Sequence, residues 1–188
     1  MEKYFEEFSR FVEINGFRNV LIKDAPSFLS VINNDLPDNV EVQLLNADLV
    51  ASWKHLYFAV LNALMAHRTK INISKSIAVE TVLYASAQRQ IKKALSLIGV
   101  NPASTNIAIV LISTNSESLK NAFESIIEHI NSLPDETVLE LTDIKMQIIK
   151  KAFSISDVEL SAVILDDDKN KALVDVVLEK VALLSTQV

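Results

Sequence analysis

Two periods of apolar residues run through this chain, and each predicts a different kind of element. Over residues 40–45, VEVQLL, the apolar Val40, Val42 and Leu44 alternate with Glu41 and Gln43, the two-residue period of a half-buried strand. Residues 106–113, NIAIVLIS, are apolar almost without interruption, which predicts a strand covered on both faces. Two further β-branched segments, 17–22 (FRNVLI) and 78–85, predict strands as well. Helical spacing holds elsewhere. Asp24 ahead of Pro26 predicts a capped helix running to about Asn34. Asp48 predicts the cap of a helix reaching about His67, with Trp53, Leu56, Val60 and Leu64 on one stripe. A second stripe, Ser52, His55, Ala59, Ala63 and Ala66, is small enough either to pack the core or to let a ligand or another backbone approach.

After a break at Ser86-Ala87-Gln88, the spacing predicts a helix over 89–98 with Ile91, Leu95 and Ile98 inward and Lys92 and Lys93 outward. Gly99 then fits the left-handed position that ends a helix. A serine-capped helix is predicted from Ser116, with Leu119, Phe123, Ile126 and Ile130 on its apolar face, and another after Leu141-Thr142-Asp143. Ser156 and Glu159 form a capping-box pattern. Asp166-Asp167-Asp168 lacks the glycine and closing glutamate of a calcium loop and reads as a loop and cap cluster. A last helix, 170–184, carries Leu173, Val174, Val177, Val181 and Leu184, widened by Val176 and Ala182 into a face broad enough for the domain or a partner to bury. These elements give an α/β class, with mixed α+β also open. The expected architecture is a small mixed sheet flanked by helices, in which strand–helix–strand order favours crossover units. The domain plan is one unit, 1–188, with an α/β core over 17–133 and a helical C-terminal part over 139–186.

Composition narrows the function. The chain has 188 residues and no cysteine, which removes disulfides, thiolate catalysis and thiolate metal sites. No apolar run reaches the ~18 residues of a membrane span. The acidic, amphipathic start MEKYFEEFSR is unlike a signal peptide, so a cytoplasmic protein with no membrane partner is expected. Only Gly16 and Gly99 are glycine, so neither a P-loop nor a dinucleotide fingerprint can be built. His55, His67 and His129 have no nucleophile elbow around them and no metal-ligand spacing between them. His55 reads as a hydrogen-bonded helix histidine. The expectation is a chain that is not an enzyme, with no cofactor, no metal and no small-molecule substrate.

Charge supplies the positive signal. Between Leu49 and Ser116 stand seven cations, Lys54, Arg68, Lys70, Lys75, Arg89, Lys92 and Lys93, against one acid, Glu80. The rest of the chain holds 11 cations and 23 acids. Such asymmetry points to one face for an anionic partner, the alternative being ordinary solvated lysines. Arg89 stands at a turn into a helix, where free N–H groups and the helix dipole favour an anion, with Gln90 and Lys92 to help. Tyr84 and Trp53 are candidates to stack a base.

The succession Asn46-Ala47, Ser52, His55-Leu56, Ala59, Glu80 through Tyr84, Arg89-Gln90-Ile91, Ala94 and Gly99-Val100 resembles the small kinase-binding subunit of the KEOPS (EKC) complex, the PRPK-binding-protein family. The resemblance is best over roughly residues 46–100 and extends more faintly along the chain. It implies a non-catalytic subunit that binds and stimulates the complex's small atypical kinase/ATPase and helps recruit tRNA by its CCA end. The complex forms threonylcarbamoyladenosine beside the anticodon with a separate catalytic subunit. The arginine of the Arg-Gln-Ile motif, absent from many eukaryotic members, stands here as Arg89, which implies an archaeal-like, tRNA-competent version. The expected RNA-binding residues are His55, Arg68, Lys70, Lys75, Tyr84, Arg89, Gln90, Lys92 and Lys93. The expected kinase-facing residues are Val174, Val177, Val181 and Leu184. The alternative is a pure protein-interaction subunit without direct RNA contact.

Overall fold

The computed structural model describes residues 1–166 and 168–186. In chain order the elements are β1 Glu2–Phe5, β2 Arg10–Phe17, α1 Ala25–Asp35, β3 Val40–Asn46, α2 Trp53–Thr69, α3 Ile77–Ser86 and α4 Ile91–Ile98. They continue with β4 Ile107–Ser113, α5 Ser116–Ile130, α6 Asp143–Ala152, α7 Asp157–Val163 and α8 Lys169–Leu184. The sheet order is β1-β2-β4-β3, and each pairing is antiparallel. The α/β class with a helical C-terminal part therefore holds. Its sheet is antiparallel throughout, so the crossover units expected from the strand order do not form.

β4 is one of the two interior strands, and its uninterrupted apolar run is covered on both faces as its sequence requires. Ile107, Ile109 and Leu111 point into a layer shared with α1 and α5. Ala108, Val110 and Ile112 point the other way, into a larger core shared with α2, α3 and α8. The alternation in β3 obeys the same geometry. Val42 and Leu44 join the first layer, while Glu41 faces the other side and accepts hydrogen bonds from Ser76 Oγ (2.5 Å) and the Ala78 amide (3.0 Å).

Several expected elements are different in the structure. Residues 17–22 form no strand of their own: two strands, β1 and β2, precede them, and β2 ends at Phe17. Beyond it Asn19 takes a left-handed φ of 58°, and Arg18 turns out to meet Asp135 at 2.7 Å. Residues 78–85 form no strand. They lie in α3, capped by Ser76, whose hydroxyl accepts from the Val79 amide at 3.2 Å. Residues 80–86 of this helix are all buried, so no polar face imposes a helical period and the β-branched content misleads.

Caps shift as well. Asp48 lies in a 3-10 turn, Ala47–Leu49, capped by Asn46, and α2 begins only after Ser52. Asn115 rather than Ser116 caps α5. The capping box of Ser156 and Glu159 forms as its pattern predicts. Asp168 caps α8 through the Lys171 amide (2.9 Å); Asp167 of the acidic triplet lies outside the described residues. In α4, Ile91 and Leu95 are exposed, and Ala94 and Ile98 are the buried positions.

Glycine plays the reverse of its expected role. Gly99 has φ −68°. Its lack of a side chain matters because a Cβ there would stand 2.4 Å from the Leu95 carbonyl oxygen. Left-handed positions fall instead to residues such as Lys70, Ala87 and Asn131.

Candidate functional site

The basic segment is organised by a buried histidine. His55 is fully buried on α2, with Nδ1 accepting from the Ala51 amide (3.2 Å) and Nε2 donating to the Ala85 carbonyl (2.8 Å). That pattern fixes the neutral tautomer. Burial pulls its pKa down to about 4, against the Ala85 carbonyl, which favours the charged form, while the nearby charge of Lys145 lowers it further. His55 is thus no RNA contact, since neither nitrogen is free or reachable. It holds the C-terminal end of α3 in place.

From that anchored end the chain turns. Ala87 adopts φ 51° and its amide returns to the Leu83 and Tyr84 carbonyls. The turn delivers Arg89 and Gln90 to solvent just before α4. Six helices have a side-chain N-cap, but α2 and α4 do not. The first amides of α4 therefore keep their donors free of a capping side chain beside Arg89, Lys92 and Lys93.

Two neighbouring hollows flank the turn. One, of about 270 Å³, is lined by Ile71, Ile73, Glu80, Tyr84, Arg89 and Leu184, with Ser185 at its edge. Burial raises the Tyr84 phenol above its ordinary pKa, as does the adjacent Glu80 charge, while Arg89 opposes them. The other, of about 550 Å³, is shallow and lined by Gln88, Gln90, Lys92, Lys93, Ser96, Leu97 and Ala152. Arg89 lines one hollow and the next residue, Gln90, lines the other, so one exposed basic turn borders both.

The structure gathers only part of the expected set. Tyr84, Arg89, Gln90, Lys92 and Lys93 come together, and exposed Lys70 directly precedes Ile71 in the hollow's wall. Lys75 is exposed in the loop that follows that wall. Arg68 lies elsewhere, ion-paired with Glu7 and stacked over Phe8 at 5.8 Å. Trp53 lines a separate hollow with Met1, Ile14 and Leu139, so it does not form a stacking pair with Tyr84. Of the kinase-facing expectation, Val177, Val181 and Leu184 are 0–3% exposed and fill this chain's own core, and Val174 is half-buried. Their face is wide because four helices, α2, α3, α6 and α7, pack on α8.

Sequence reasoning missed the hollow's apolar wall, Ile71 and Ile73, because a polar loop gave them no period. The one available signal was Glu80, the sole acid of the basic window. Its Oε2 accepts from the Ile73 amide (3.0 Å) and the Ser74 amide (2.7 Å) and so folds that loop over the hollow.

Comparison with known families settles the relationship. The family model described as "Kinase binding protein CGI-121" matches residues 17–185. The chain belongs to the CGI-121 family. The match covers β3, β4 and helices α1 to α8, including the basic turn, and leaves out β1 and nearly all of β2. A curated CGI-121 relative, "Regulatory protein Cgi121" of Methanocaldococcus jannaschii, is 35% identical over 125 residues, covering 66% of this chain and 78% of that protein. Among the described residues no helix is long and apolar enough to cross a membrane, and no His, Asp and Glu cluster could hold a metal.

Proposed function

We propose that this chain is a non-catalytic accessory subunit of a KEOPS-type complex, which binds and stimulates that complex's small atypical kinase/ATPase and helps recruit tRNA by its CCA end. It acts in the cytoplasm, in the formation of threonylcarbamoyladenosine. The kinase side of the reading rests on membership of a family described as kinase-binding.

One observation carries the RNA side. Arg89 stands exposed on the rim of a hollow walled by Tyr84 and isoleucines, beside a second hollow edged by Lys92 and Lys93. Cations that follow a backbone, next to an aromatic and apolar slot for a base, are what a single-stranded nucleic acid end requires. Base stacking contributes ~1–3 kcal/mol per base and phosphate contacts add a salt-dependent term. Nothing in the turn acts as a nucleophile or general base, so its chemistry is recognition.

The kinase surface is then not the inner stripe of α8. The C-terminal helices also expose Ile144 and Ile148, one turn apart on α6, Val158 on α7 and Leu183 on α8, and these are apolar positions open to a protein partner.

Gel-shift titration of tRNA with and without its CCA end tests the reading. Intact tRNA is expected to bind more tightly. Equal binding to both removes the CCA role. Absence of binding to either, with the kinase still captured, leaves the pure protein-interaction subunit, which the exposed α6 pair would serve.

A further inference from the structure

We propose that Glu80 makes the Tyr84 hollow selective for the free 2′,3′-diol of an RNA 3′ terminus and excludes termini that carry a phosphate. The inference rests on the reading that this surface receives an RNA end, and it assigns the group that decides which end is accepted.

The lining of the hollow carries both signs of charge, one exposed and one buried. Arg89 is exposed, at the mouth, whereas Glu80 is only 2% exposed, in the wall. The same hollow is lined by Ile71, Ile73, Leu184 and Tyr84, apolar surface suited to the faces of a base and sugar, and Tyr84 stands near both charges. At about 270 Å³ the space falls just under the roughly 300–1,000 Å³ of drug-sized ligand pockets, which suits a single nucleoside. A strand entering with its phosphate on Arg89 therefore brings its terminal sugar towards Glu80.

The chemistry of that carboxylate fits a diol. An ionised carboxylate is acceptor-only, and Asp or Glu is the group that holds ribose hydroxyls in dinucleotide sites. Both backbone hydrogen bonds to Glu80 fall on Oε2, so Oε1 keeps its lone pairs for hydroxyl donors. Those two charge-assisted bonds also prevent the carboxylate from swinging aside when a ligand does not suit it. A terminal phosphate would meet a fixed, buried negative charge, the repulsive element that selectivity requires. A purely structural Glu80, needed only to hold the Ile73 and Ser74 amides, would not distinguish one terminus from another.

The test uses the full chain and short 5′-labelled RNAs ending in CCA with a 3′-hydroxyl, a 3′-phosphate or a 2′-deoxy terminus, titrated by fluorescence anisotropy. The expected result is binding of the 3′-phosphate end weaker by roughly tenfold or more, with the 2′-deoxy end between. In Glu80→Gln, which keeps an acceptor for both loop amides but removes the charge, the gap should close to within about threefold. Arg89→Ala should weaken all three by a similar factor. Equal wild-type affinity for the hydroxyl and phosphate ends overturns the assignment, as does a gap that persists in Glu80→Gln. If no RNA binds the wild-type chain, the parent reading fails and this one with it, an outcome distinct from equal binding to all ends.

Discussion

His55 shows how one residue ties the fold to the site. It spans from the Ala51 amide to the Ala85 carbonyl, and so fixes where α3 ends and where the basic turn begins. A protonated imidazole cannot accept from Ala51, and burial opposes its charge. The folded chain therefore holds this histidine at about 4, below the ordinary value of 6.5, while the unfolded chain protonates it normally. Between those values the unfolded state binds more protons, so stability falls as pH drops through that window. Between pH 7 and 5 His55 should account for a loss of about 2 kcal/mol. Urea unfolding at the two pH values checks this. His55→Gln should be less stable at pH 7 yet lose about 2 kcal/mol less on acidification; an unchanged pH dependence would show that another group is responsible. At this scale the motif residues were legible. Arg89, Gln90 and Tyr84 stand together as their sequence order implied, because they are near neighbours in the chain. Ile71, Ile73 and the structural role of Glu80 were not, because the loop closes on α3 through backbone amides that leave no mark in side-chain pattern.

Among the elements, α3 and the turn after it decide the surface. α3 misleads a reader of sequence because it is buried almost all round, which removes the polar stripe that distinguishes a helix from a strand. Its end is unusual in physical terms. Ala87 occupies a left-handed conformation that costs a non-glycine L-residue about 1–2 kcal/mol, where glycine is the common choice. Ala87→Gly should relieve that strain, offset by the greater backbone freedom of the unfolded chain, for a net gain of up to ~1 kcal/mol. Thermal unfolding measures it, and clear destabilisation would mean that the methyl group contributes packing the backbone argument omits. Gly99 predicts the opposite sense for its own position, since its freedom is used for close approach to the Leu95 carbonyl.

For the whole molecule, the sheet separates two cores, and the basic turn belongs to the larger one. The interior strand β4 and its neighbour β3 were legible, because buried and half-buried strands carry opposite, recognisable patterns. The order β1-β2-β4-β3 was not. The first hairpin lies in a stretch whose acids read as a helix-like amphipathic start, and antiparallel pairing has no signature of its own in β3 or β4. The net charge was equally ambiguous until folded. Arg68 is drawn off to Glu7, whereas Arg89, Lys92 and Lys93 remain together on one turn beside an uncapped helix start. We propose that this turn is where the chain meets the anion of an RNA partner. The most direct measurement is tRNA affinity as a function of salt for the wild-type chain and for a chain carrying both Arg89→Glu and Lys92→Glu. Each lost phosphate contact should flatten the slope of log K against log salt by about 0.7–0.9. The double variant should therefore bind more weakly with a slope shallower by roughly 1.4–1.8. Unchanged affinity and slope would place the RNA on another surface.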